Sequence, residues 1–79
     1  PIIKLWINSN REIQIDGVSK DDEYQIVAYN SAGSRIRVLS QHATSLSHIS
    51  TVNLGSGLHI IRVENIHTGE VSNFKIVLP

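Results

Sequence analysis

Four histidines, His42, His48, His59 and His67, are the side chains most open to a chemical role in this 79-residue chain. Imidazole binds metals and moves protons near neutral pH. Zinc and related ions need several such ligands at characteristic spacings, commonly helped by cysteine. Here no two histidines stand in an H-x-H or H-E-x-x-H pattern, and the chain has no cysteine. No metal site is expected, and His59 is expected at the edge of the core with its ring hydrogen-bonded. Serines are plentiful, but the G-x-S-x-G elbow of a serine hydrolase is missing. The Gly55-Ser56-Gly57 triplet is not a phosphate loop, because no Gly-Lys-Ser/Thr ending and no helix follow it. Asp21, Asp22 and Glu23 form an acidic cluster without the alternating oxygen ligands of a calcium loop, so it reads as a solvated loop. Trp6 offers a stacking platform for a sugar. A lone tryptophan in a small β domain more often anchors the core or the contact between sheets. The chain therefore reads as non-enzymatic, with no catalytic residue and no cofactor.

Composition narrows the remaining classes. Seven Lys and Arg balance seven Asp and Glu, for a formal net charge of zero. Nucleic-acid binding calls for a concentrated basic surface, and only Arg35 and Arg37 stand close together. No apolar run approaches the roughly 20 residues of a membrane helix. The longest candidate, residues 58–63, contains His59 and Arg62. The length suits one small domain, residues 1–79. The start carries no signal peptide and runs from Pro1 straight into a strand pattern. That suggests a domain cut from a longer protein, with its targeting sequence elsewhere.

The elements that must position these residues are strands. Period-2 alternation recurs, and helical periodicity is weak. Ile3, Leu5 and Ile7 alternate with Lys4 and Trp6. Ile13 and Ile15 form a short second strand, stopped by Asp16-Gly17. Residues 24–29, YQIVAY, are rich in aromatic and branched side chains and are apolar on both faces. Asn30 to Gly33 turns the chain into RIRVL, with Ile36 and Val38 expected on one face and Arg35 and Arg37 on the other. The two segments read as a β-hairpin. Residues 40–48 read as a loop and ISTVNL, 49–54, as a strand. Gly55 and Gly57 then permit a sharp turn into LHIIRVEN. A turn at 66–70 leads to the last strand, VSNFKIVL. The expected faces are His59, Ile61 and Val63 in one strand and Phe74, Ile76 and Leu78 in the other, both pointing inward. About seven antiparallel strands with turn signals every 8–12 residues or so predict an all-β sandwich.

Segments EYQIVAYNSAGSRI and ISTVNLGSGLHIIRVENIHTGEVSNFKIVL resemble the C-terminal sorting domain of the type IX secretion system, type A. The resemblance covers roughly residues 13–78. Tyr29-Asn30 stands where the family has Tyr-Asp. Gly33 stands at the turn glycine, and Arg35-Ile36 opens the next strand. Leu54, Gly57 and Arg62 fit the leucine, glycine and basic residue of the family's L-x-x-G-x-Y-x-x-R signature. His59 takes the place of its tyrosine, and the last strand lacks the usual paired lysines.

The resemblance implies an immunoglobulin-like sandwich of seven strands that acts as an export label in Bacteroidota. Its partners would be an outer-membrane translocon, a shuttle protein and a cell-surface sortase. The passenger would pass through the periplasm to the outer-membrane surface or the medium. Gly33, Gly57, Arg62 and Lys75 are the candidate recognition and turn residues, the glycines mainly structural. Lys75 lies on the last strand, 70–78, whose free edge offers unpaired backbone groups to a partner or to a second copy as a strand-edge dimer. The alternative is an immunoglobulin-like accessory module, a spacer or a carbohydrate- or protein-binding domain of a larger surface enzyme.

Overall fold

The computed structural model describes residues 2–43 and 48–79. Seven strands follow one another: β1 (Lys4–Ile7), β2 (Glu12–Asp16), β3 (Tyr24–Asn30), β4 (Arg35–Ala43), β5 (Ile49–Ser50), β6 (Gly57–Asn65) and β7 (Val71–Leu78). They form two sheets, ordered β1-β2-β5 and β4-β3-β6-β7, and every paired neighbour is antiparallel. The chain changes sheet after β2, after β4 and after β5. This is the Greek-key connectivity of an immunoglobulin-like sandwich, with the fourth strand paired to the third.

The core forms because each central strand brings an apolar phase to the same side. Ile13 and Ile15 come from β2, and Tyr24, Ile26 and Ala28 from β3. Ile61 and Val63 come from β6, Ile76 and Leu78 from β7, and Leu54 from the chain before β6. His59 is buried among them, as its phase requires. Its Nδ1 donates to the Gly57 carbonyl oxygen at 3.1 Å, which fixes the tautomer. Phe74 is partly buried and packs against this cluster.

Asparagine begins three of the hairpin turns. Asn8, Asn30 and Asn65 each accept two loop N–H groups on the side-chain oxygen. Each turn then reaches a residue with positive φ: Arg11, Gly33 and Gly69 respectively. Asn30 N–H donates to Ser34 O and Gly33 N–H to Asn30 O. That is the three-residue hairpin loop with a left-handed final residue. The β2 exit at Gly17 is tighter still. It has φ +85°, and a Cβ there would overlap the Ile2 carbonyl oxygen, so no side chain fits.

Four expectations are corrected. Segment 49–54 is strand only at Ile49–Ser50. Leu54 N–H then donates to Thr51 O at 2.9 Å, and Thr51, almost fully buried, donates its hydroxyl to Arg11 O. These bonds pull the chain away from the sheet. β4 runs on to Ala43, beyond the expected RIRVL. An edge strand needs only its backbone ladder to β3, so the polar residues after Leu39 do not end it. The rest of the expected loop, 44–47, lies outside the described residues. The β3–β4 register shifts three times, and it sets Arg37 opposite Ala28 but Val38 opposite Val27. Such bulges break simple alternation, so residues 35–38 are all exposed. Trp6 faces outward opposite Gln14 and is 45% exposed, not an anchor between sheets.

Candidate functional site

The two outer faces of the sandwich differ. On the three-stranded sheet the outward residues of β1 and β2 are Lys4, Trp6, Glu12, Gln14 and Asp16, mostly polar. On the four-stranded sheet the outward phase is apolar through its middle. Val27 is completely buried there without belonging to the inner core, flanked by Val38 on β4 and Arg62 on β6. The next row sets Tyr29, Ile60 and Lys75 side by side across β3, β6 and β7. Leu58 and Val77 form a further exposed apolar pair.

This face holds an open depression of about 480 Å³ lined by Tyr29, Gly33, Ile60, Arg62, Asn73, Phe74 and Lys75. Asn73 stands opposite Arg62. Arg62 Nη1 donates to Glu64 Oε1 at 2.8 Å, with both side chains about a third exposed. Such a pair adds only about 0–1 kcal/mol. Lys75 has no ion-pair partner among the described residues, and neither has Arg35, which stands opposite Tyr29 at the mouth of the turn. The arrangement offers cationic donors beside an aromatic ring and an aliphatic side chain. It can hold a group that is part apolar and part anionic.

The fold thus brings together three of the four residues singled out from sequence, Gly33, Arg62 and Lys75. They come from a turn and two strands. Gly57 is not among the lining residues: it opens β6 opposite Leu78. Its φ of +107° requires glycine, although a Cβ would meet nothing within 4 Å. Gly55 needs neither a positive φ nor a close approach, which corrects the turn role expected for it. Ile60 and Asn73 escaped sequence reasoning. The available signal was apolar residues in the outward phase of otherwise alternating strands: Val27 and Tyr29, Leu58 and Ile60, Val71 and Val77.

Among the described residues no three His, Asp or Glu side chains converge as a metal site. Of the acidic cluster, Asp22 accepts a hydrogen bond from Asn65 Nδ2 at 2.9 Å. Beside it, Tyr24 accepts the Ser19 N–H on its hydroxyl. The Asn65 bond ties the β2–β3 loop to the end of β6, and the Tyr24 bond ties the same loop to the start of β3, a structural task. None of the described residues forms a helix long and apolar enough to cross a membrane.

Fold and site together define an immunoglobulin-like β-sandwich with one apolar, cation-bordered outer face. No protein-family model, curated protein or solved structure matches the chain.

Proposed function

We propose that this domain is a C-terminal sorting signal of the type IX secretion system. It would direct a passenger across the outer membrane to the cell surface and carry no catalytic activity of its own. The observation that carries this reading is the clustering of Gly33 and Arg62, the residues that fit the family motifs, with Lys75 around one depression. The seven-strand sandwich agrees with the fold that the resemblance implies. The translocon, the shuttle protein and the sortase would then be its partners.

The β7 edge supports the same reading. β7 is a terminal strand of its sheet, and it pairs with β6 over eight consecutive residues without a register shift. The opposite edge, β4, is bulged and carries Arg35 and Arg37, devices that discourage further pairing. A regular edge is the one that can accept another strand.

The test is an export assay. Residues 1–79 are fused to the C-terminus of a periplasm-directed fluorescent protein, in a bacterium with a working type IX system and in a translocon-deficient strain. Surface or medium fluorescence in the working strain alone is the expected result. Periplasmic retention in both strains, with the domain folded, would overturn the reading. It would favour an accessory binding module, the alternative that the apolar outer face of the four-stranded sheet supports.

A further inference from the structure

We infer that the depression on the four-stranded sheet is a binding site for a short acidic peptide segment, with carboxylates alternating with aliphatic residues. Three observations carry this. First, the lining joins Tyr29 and Ile60 to Arg62 and Lys75 and contains no carboxylate. Arg35 extends the cationic border from the neighbouring strand. Second, Lys75 and Arg35 have no ion-pair partner among the described residues, so their charge is available to a ligand. Third, the molecule's own acids lie elsewhere. Asp16, Asp21, Asp22 and Glu23 fall between the end of β2 and the start of β3, and Glu70 lies in the β6–β7 turn. Glu64, already held by Arg62, is the exception on this face.

The chemistry selects the ligand. An aliphatic side chain of the peptide would cover Ile60 and the face of Tyr29, while flanking carboxylates meet Lys75, Arg35 and the free nitrogens of Arg62. Guanidinium and ammonium donors bind carboxylates through charge-assisted hydrogen bonds. A basic peptide of the same shape would meet like charge, which is how such a border discriminates. The site would take this ligand whether or not the domain directs export.

The experiment is an NMR titration of the ¹⁵N-labelled 79-residue chain with acetyl-Asp-Val-Asp-Val-Asp-amide. The controls are acetyl-Lys-Val-Lys-Val-Lys-amide and inorganic phosphate. Saturable shifts are expected at the amides of Gly33, Ile60, Arg62 and Lys75, and not in the three-stranded sheet. Binding should weaken when salt is raised from about 50 to 500 mM, because the contacts are exposed. Lys75→Ala, an exposed substitution, should preserve the spectrum elsewhere and weaken binding about fivefold. Arg35→Ala should act in the same direction. Equal binding of the lysine peptide would overturn the inference. So would phosphate shifts of the same pattern and affinity, which would mean a bare anion site, or a response spread over the whole surface.

Discussion

Arg11 occupies a position that glycine fills in the other two asparagine-led turns. Its φ is +61°, against +85° at Gly33 and +78° at Gly69. A non-glycine residue in the left-handed region costs about 1–2 kcal/mol. What offsets this is the side chain, whose Nη2 donates to Leu54 O at 3.1 Å, and the backbone, whose carbonyl accepts the Thr51 hydroxyl. Arginine therefore fastens the β1–β2 turn to the chain that leads into β6. Two substitutions separate the conformational cost from the fastening. Arg11→Ala keeps the cost and loses the side-chain bond. Arg11→Gly loses the bond and also relieves the cost. Both should be less stable than the parent, and the alanine variant less stable than the glycine variant by about 1 kcal/mol. Urea denaturation of the three proteins measures the order, and an alanine variant equal to the parent would dismiss the role of the side chain.

At the scale of elements, the small sheet is held partly by one carboxylate. Glu12 in β2 accepts a hydrogen bond from Asn8 Nδ2 at 3.2 Å, and His48 Nδ1, next to β5, lies 3.3 Å from the same oxygen. The Asn8 bond is the larger cause and His48 the second, and together they hold the Glu12 carboxyl below its ordinary value. A carboxyl depressed in the folded state binds its proton more readily when unfolded. Its stabilisation is present above the unfolded value, about 4.3, and is lost as pH falls through the folded one. Melting temperature should therefore decline below about pH 4.3, and Glu12→Gln should decline less steeply there; identical slopes would remove Glu12 as a cause. The strands themselves were legible where burial dictates alternation, as in β6, whose inward His59, Ile61 and Val63 all reach the core. Two strand ends were not legible. Ile49, Val52 and Leu54 look like a strand pattern, yet Val52 is 75% exposed. The buried Thr51, bonded to a residue forty positions earlier in the chain, decides the path, and no local pattern announces so distant a partner. β4 outlasts its apolar run because an edge strand is held by its ladder rather than by burial. The candidate site was half legible for a related reason. Arg62 and Lys75 are conspicuous as isolated cations, but Ile60 becomes a site residue only when the register sets it between Tyr29 and Lys75.

Across the whole molecule, zero net charge conceals a separation. Asp16, Asp21, Asp22, Glu23, Glu64 and Glu70 make six of the seven acids, and all six lie toward the end where β3 begins. Arg11 lies in the β1–β2 turn, and Arg35 and Arg37 follow the turn that closes β3, whereas Lys4, opposite Asp16, and Lys20, in the β2–β3 loop, stand among the acids, so the separation is partial. Such a distribution orients a molecule as it approaches a charged partner, and it places the cation-bordered depression toward the basic end. If the secretion reading holds, export depends on two separable properties: a folded sandwich and the chemistry of that face. Gly57→Val should act on the first. Open space surrounds the position, so the cost is conformational, about 1–3 kcal/mol for a branched residue forced to φ +107°. In a domain this small, 1 kcal/mol lowers the melting temperature by about 4–8 °C, and export should fall with the folded fraction. Lys75→Ala should act on the second, reducing export while leaving the melting temperature within about 2 °C of the parent, as exposed substitutions usually do. The two variants are compared by thermal melting of the purified domain and by surface fluorescence of the fusion. Undiminished export of a normally folded Gly57→Val protein would show that the β6 turn is dispensable. Undiminished export of Lys75→Ala would leave the depression to a ligand unconnected with secretion.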